Sequence, residues 1–379
     1  MIRELELLDR LIAFPTVSDQ SNLDLIDWAQ DILRSAGFQT TRIPQSDGFK
    51  AGLHATLGPQ ENGGVCLSAH TDVVPVSGQN WTRDPFKLTR EGPYVFGRGT
   101  TDMKGFVACA LAAAERASTL QLTRPFSLVL SYDEEVGCVG IREMMPKLSS
   151  LLGSPEIVVV GEPTSMQVAV GHKGKAAFTV TCHGEAGHSA LAPRYRNAIH
   201  LAAGFVHEIR RVQDNFAQSV GDPSYEIPYA TFHIGKIRGG RALNIVPDTA
   251  TMDMEIRYPS GAPVEALTAS LNDAARRVCA REACENAITI ETGVAYPCLE
   301  NDASAASIAV LKKIVQRETT TKVAFGTEGG FFAELGLNAV VMGPGNMAQN
   351  GHKPDECIET AELAACAAAL DNLLKNLAT

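Results

Sequence analysis

Residues 66–75 read CLSAHTDVVP, an apolar run that finishes on an imidazole and a carboxylate before a proline closes it. In an extended chain residues i and i+2 share a face, so His70 and Asp72 leave this segment side by side. Outward from it the same grammar recurs. GVCLSAH, PFSLVLSY, EIVVVGEP and QVAVGH are short apolar runs rich in branched residues, and helical patterns such as GFVACALAAAERAS lie between them. Strands alternating with helices, and apolar on both faces, imply an α/β core: a mostly parallel sheet flanked by helices.

From about residue 176 the pattern changes to period-two alternation, in AFTVTCHGEAGHSA, ATFHIGKIRGGRALNIVP, TATMDMEIRYP and NAITIETG. Such alternation belongs to antiparallel strands with one wet face. Helical stretches near Asn197–Asn215 and Pro263–Arg281 complete the order β, α, β, β, α, β, a ferredoxin-like α+β unit. After about Thr292 the chain returns to helix and buried strand. The expected division is therefore 1–175 and 293–379 for the two parts of the large domain, with 176–292 inserted between them.

At 379 residues the chain exceeds what one hydrophobic core usually supports. A formal charge of -10 argues against nucleic acid or an anionic membrane as the main partner, since both favour a basic face. The first segment, MIRELELLDRLIAFPTVS, mixes charges through its apolar residues and lacks the uninterrupted core of a signal peptide, so a cytoplasmic protein is expected. Nine cysteines without a C-x-x-C pair fit reduced thiols, with Cys66, Cys109 and Cys182 packed as small apolar groups.

His70 and Asp72 are the first members of a set. GRGTTDMKG places Asp102 in a glycine-punctuated loop before a helix, SYDEEVGCVG puts Glu134 and Glu135 at a strand end, VVVGEPT puts Glu162 at another, and GHKPDE supplies His352. Strand C-termini of a doubly wound sheet line one edge, where these groups can meet. Imidazoles and carboxylates meeting without thiolates favour Zn²⁺, Mn²⁺ or Co²⁺. Taken singly, each is a polar group at a loop mouth; taken together, each following an apolar run, they make a metal site. Glu134 is then either half of an acidic turn or the base a hydrolase needs beside its attacking water.

HTDVVP, GRGTTDMKG, DEEVG, GEPT and HKPDE, in this order, resemble the signatures of the M20 family of dinuclear zinc amidohydrolases and peptidases, and the resemblance runs over essentially the whole chain. GTEGGFFAELGLNAVVMGPGNMAQNGHKPDE and GGRALNIVPDTATMDMEIRYP look most like its acetylornithine deacetylase branch. The resemblance implies that Asp102 bridges two divalent ions, zinc first with cobalt or manganese as alternatives. His70 and Glu162 would hold one ion and Glu135 with His352 the other. Asp72 would fix the ring of His70, and a cis peptide would follow Asp102. Glu134 becomes the general base for a bridging water. The inserted domain becomes a lid through which two chains pair, its His188 reaching the partner's site to donate to the oxyanion.

The same resemblance assigns the substrate pocket. Arg257 would fork the α-carboxylate of a small N-acyl amino acid, although its alternation with Asp253 and Glu255 also reads as a surface ion-pair ladder. Asn244 would join it, and Thr327, Glu328 and Gly329 of GTEGG would shape the wall, Glu328 as a partner for a substrate ammonium. The activity implied is hydrolysis of N-acetyl-ornithine in arginine biosynthesis. The alternatives are a succinyl-diaminopimelate desuccinylase, a broader N-acyl-amino-acid deacylase, or a metal-binding homologue without catalysis, in which Glu134 would have no purpose.

Overall fold

A computed structural model describes residues 2–219, 221–262 and 264–378 of the chain, which divides into two compact units. The first comprises the segment through Gly171, Leu299–Val323 and the segment from Thr327 on; the second comprises His172–Cys298 with Ala324–Gly326. The inserted span is thus wider at both ends than 176–292. Its first strand begins at Gly174 and its last runs to Tyr296, and a strand stays with the sheet that satisfies its backbone.

The first unit is built on a nine-stranded sheet. At its centre Phe126–Ser131, Val65–His70, Ile157–Pro163 and Ala339–Gly343 lie side by side and parallel. All four are buried along their whole length, which is why they read as unbroken apolar runs. The outer strands Gln39–Pro44, Ala51–Leu57 and Ala169–His172 run antiparallel to their neighbours, so QVAVGH is an antiparallel strand beside a parallel core. Lys104–Ala117, rich in alanine, is buried on nearly every side because Ile2–Ile12 and Thr360–Leu377 pack against it. Small side chains let helix axes approach closely enough for that.

Register brings the chemistry to one edge. His70 lies opposite Ser131, and Ser68 lies opposite Val160, so Glu162 comes level with His70 two residues further on. Gly161 is required there by close approach: a Cβ would stand 2.0 Å from the Phe106 ring, closing the space through which the Lys104–Ala117 helix meets the sheet. Cys66 and Cys109 are buried in this unit, and burial pushes the Cys66 thiol up to about 12, the behaviour of an inert apolar filler. Among the described residues no helix is long and apolar enough to cross a membrane.

The second unit is a four-stranded antiparallel sheet in the spatial order Thr231–Gly239, Thr249–Tyr258, Gly174–His183, Ile288–Tyr296. Helices Ala198–Ala217 and Val264–Arg281 lie against it, so the ferredoxin-like order is observed; Pro263, expected to open the second helix, lies outside the described residues. Alternation is visible in the burial of Gly174–His183 and Thr249–Tyr258, whose inward residues Phe178, Val180, Met252, Met254 and Ile256 form the core with Leu201, Phe205 and Leu271. Cys182 is buried here.

One polar group enters the helix layer. The fully buried Glu208 carboxylate receives Arg277 Nε at 2.8 Å and Arg281 Nη2 at 2.5 Å, with Arg211 Nη1 at 3.3 Å. The hydrogen bond from Arg277, with that from Arg281, holds its pKa down at about 2, below the ordinary glutamate range. A carboxylate whose native pKa is depressed stabilises the fold above its unfolded pKa, and that stability disappears as pH falls through the native value. Glu208→Gln is therefore expected to cost about 1–2 kcal/mol at pH 7, because the arginines themselves reach solvent. In paired urea melts the gap between wild type and variant should be constant above about pH 5 and close as pH falls toward about 2. A gap that persists at low pH would show that charge is not its cause.

Candidate active site

His70 ends its strand with the ring almost wholly buried, 1% exposed. Its Nδ1 lies 2.9 Å from the backbone carbonyl of Asp72. A carbonyl only accepts, so Nδ1 carries the proton and Nε2 is the atom turned to the site. The expected role of Asp72 is shared between its carbonyl and its carboxylate, whose Oδ1 lies further from Nδ1, at 3.6 Å. That carboxylate also grips the next loop: Oδ1 accepts from the Glu134 amide at 3.1 Å, and Oδ2 from the Glu135 amide at 3.3 Å and from Ser18 Oγ at 2.7 Å. One residue therefore orients the imidazole and both glutamates.

Asp102 stands in the loop before Lys104–Ala117, and the Asp102–Met103 peptide is cis. Its two oxygens part company: Oδ1 is 3.1 Å from His70 Nε2, and Oδ2 is 3.0 Å from His352 Nε2. Glu162 Oε1 lies 3.6 Å from His70 Nε2, and Glu135 Oε2 lies 3.0 Å from His352 Nε2. Two triads result, His70–Asp102–Glu162 and Asp102–Glu135–His352, each with its ligand atoms within 4.8 Å of one another. Donors held 2.0–2.2 Å from one tetrahedral ion sit about 3.3–3.6 Å apart, so both triads have the spacing of a metal's ligands. His70, Asp102 and Glu162 are buried, whereas the His352 side chain is 48% exposed and marks the open flank.

Electrostatics agree with the spacing. Burial, together with the neighbouring Asp102 charge, drives Glu162 well above the ordinary carboxyl range and Glu135 up to about 7. Hydrogen bonds to Asp102 and Glu135 raise His352 to about 10, and Asp102, flanked by His352 and His70, is held low. Carboxyls forced toward neutrality beside imidazoles forced toward the cation describe a cluster short of positive charge. Divalent ions would supply it.

Glu134 belongs to neither triad. It follows Asp133, whose φ of 56° is left-handed, in the turn beyond Phe126–Ser131, so the acidic pair lies past the strand end and not on it. Cys138 Sγ approaches its Oε1 at 3.3 Å. Burial, then the charges of Glu135, Asp102 and Glu328, raise its carboxyl well above the usual range despite the opposing influence of His70. A carboxylate so raised, beside two triads and bound into neither, has the disposition of a proton acceptor.

The remaining candidates fall in both units. Thr327 is buried and its Oγ1 accepts from the Gly329 amide at 3.0 Å, opening the helix Gly329–Glu334. Glu328 is 1% exposed and takes Ser68 Oγ at 3.4 Å, with burial raising it to about 7. Its charge is felt by Glu134, and its side chain is buried in this structure, not on an exposed wall. In the second unit His188 and Asn244 share an exposed corner, where the Ser189 amide donates to Asn244 O at 3.1 Å and His188 Nδ1 accepts from the Ala190 amide. Arg257 forks Glu255 at 2.9 and 3.4 Å, and Lys175 joins the same carboxylate, as an ion-pair ladder requires.

Supporting groups had gone without a role in the sequence. Lys50, buried, pairs with Asp133 and thereby braces the Glu134 turn. Arg98 and Glu356 form a second buried pair at 2.7 Å. Both members of this second pair lie inside segments already quoted as motifs, GRGTTDMKG and HKPDE.

Solved structures with the same fold cover nearly the full length. The chain is similar to aminopeptidase PepT from Bacillus cereus at 18% identity over 100% of this chain and 99% of that one, with a TM-score of 0.79. It is similar to the di-peptidase Dug1p from Saccharomyces cerevisiae at 15% identity over 100% and 96%, with a TM-score of 0.78. A third, the dinuclear metal-binding peptidase YXEP from Bacillus subtilis, is 15% identical over 99% and 98%, with a TM-score of 0.72. At these identities the likeness establishes the fold. The family is established by sequence, because residues 66–376, which hold every triad member, match the model of peptidase family M20/M25/M40, and the chain belongs to that family of metal-dependent peptidases and amidohydrolases.

Proposed function

We propose that the protein removes the acetyl group of N-acetyl-ornithine, giving ornithine and acetate. The observation that carries the hydrolytic part is the placement of Glu134 beside two triads that share Asp102. His70, Asp102 and Glu162, and Asp102, Glu135 and His352, would hold divalent ions, zinc with cobalt or manganese as alternatives, which would supply an acidified water and a Lewis acid for the acyl oxygen. Glu134 takes the proton of the attacking water and passes it to the departing amine, which leaves poorly without it. His70, oriented by the Asp72 carbonyl, and the amides gripped by the Asp72 carboxylate keep that base in register with the attack.

The lid roles rest on the family resemblance. The partner subunit's His188 donates to the tetrahedral oxyanion in a homodimer formed through the second unit, Asn244 assists, and Arg257 releases Glu255 to fork the substrate carboxylate. Thr327 and Gly329 set the wall of the pocket. GTEGGFFAELGLNAVVMGPGNMAQNGHKPDE and GGRALNIVPDTATMDMEIRYP support acetyl-ornithine among the deacylase substrates. Parallel turnover measurements on N-acetyl-ornithine, N-succinyl-diaminopimelate and a dipeptide panel test the choice. A kcat/KM for acetyl-ornithine at least about tenfold above the others is expected, a margin of 1.4 kcal/mol in transition-state binding. Preference for the succinyl compound would reassign the substrate, and preference for dipeptides would make the protein a peptidase like the structures it resembles.

A further inference from the structure

We propose that Glu356 is a positioning residue for the metal centre, clamping the Asp102 loop to the segment that carries His352; this rests on the metal-dependent reading above. The Glu356 side chain is 1% exposed and its carboxylate is saturated. Oε1 accepts from the amides of Thr101 at 2.8 Å and Asp102 at 3.0 Å, and Oε2 from the Gly99 amide at 3.0 Å and Arg98 Nη1 at 2.7 Å. Main-chain bonds reinforce it, since the Gly97 amide donates to Glu356 O at 2.9 Å and Thr101 Oγ1 to Cys357 O at 2.7 Å. A loop whose amides converge inward is a nest for an anion, and here the chain supplies that anion itself.

The consequence is geometric. His352 and Glu356 lie on one short segment, so the residue that offers Nε2 to Asp102 Oδ2 is tied to the residue that fixes the Asp102 backbone. Arg98 extends the clamp outward: Nη2 donates to Gln79 Oε1, its guanidinium lies 4.9 Å from the Trp81 ring, and Gln79 Nε2 donates to the carbonyl of His352 itself at 2.9 Å. The network thus holds both partners of the Asp102–His352 contact and neither partner of the Asp102–His70 contact beyond Asp102. Its loss should loosen the His352 position more than the His70 position.

Glu356→Gln keeps the volume and turns an amide NH₂ toward groups that only donate. Cobalt(II) titrated calorimetrically into metal-stripped protein is the probe, with His352→Ala identifying the His352 position by deleting it. In E356Q the affinity at that position is expected to fall about 10- to 100-fold, with the other position changed less. Turnover falls by a similar factor while KM moves less than about threefold, because an interaction needed in the transition state has been misplaced. The circular dichroism spectrum is unchanged. A residue that merely filled space would leave cobalt binding by the folded protein untouched. Should E356Q prove insoluble, Gln79→Ala tests the outer end of the same network on a half-buried side chain, and about 3- to 10-fold weaker cobalt binding at the His352 position alone is expected. Wild-type affinity at both positions in folded E356Q, or in Q79A, overturns the proposal. Wild-type protein that takes up no cobalt overturns the metal reading and this inference with it.

Discussion

Glu134→Gln should leave a folded, metal-loaded protein whose turnover is lower by about 10²- to 10⁴-fold, the usual worth of a positioned acid–base group. The substitution is nearly isosteric, the Glu134 amide stays bonded to Asp72, and no atom of either triad changes. What disappears is the ability to accept a proton beside the triads and return it to the amine. Metal content measured on the purified variant should equal that of wild type, while kcat collapses and KM stays within a few-fold. Because the loss lies in proton transfer, an N-acyl substrate with a better leaving group should narrow the difference. A variant that keeps more than about a tenth of wild-type kcat would remove Glu134 from the role of base, and so would a variant whose loss of activity follows a loss of metal.

The contrast with Glu135 explains why adjacent glutamates carry different chemistry. Both amides are gripped by one carboxylate, that of Asp72, which fixes the turn. Beyond Cα the paths diverge: Glu135 Oε2 stops 3.0 Å from His352 Nε2, and Glu134 Oε1 stops against Cys138 Sγ. The left-handed Asp133, held by Lys50, sets the turn that makes this divergence available.

Much of this arrangement was legible in the chain. Strands buried on both faces write themselves as apolar runs, so the ends of Val65–His70 and Ile157–Pro163 could be read, and the polar residues interrupting them stood out as His70 and Glu162. Topology then required those ends to share an edge. What could not be read were partners separated by hundreds of residues. Arg98 and Glu356 are ordinary surface types by composition, and only burial turns them into an obligatory pair. Asp72 shows a different limit. The i, i+2 rule places its side chain near His70, where it lies at 3.6 Å, but past the strand end the chain turns, and neither the closer carbonyl contact nor the carboxylate's hold on the neighbouring loop could be read from spacing. Glu328 meets the same limit as Arg98: nothing in GTEGG marks its glutamate as buried, yet it is 1% exposed and accepts from Ser68 Oγ.

Asp102→Ala should be the most damaging single substitution of all, because Asp102 is the residue common to both triads. Removing it takes one donor from each position at once and leaves His70 with Glu162, and His352 with Glu135, as pairs too sparse to hold an ion tightly. Purified D102A is expected to retain less than one metal equivalent and to show no turnover above about 10⁻⁴ of wild type, the effect of losing the cofactor and the orientation of both imidazoles together. Circular dichroism should be preserved, since the Glu356 clamp binds the Asp102 backbone amide and not its carboxylate. His352→Ala should behave as half of this change, losing one equivalent and keeping the one held by His70, Asp102 and Glu162. A D102A protein that still carries two ions would show that the triads are served by other donors, and the bridging geometry on which the reading of this site depends would have to be abandoned.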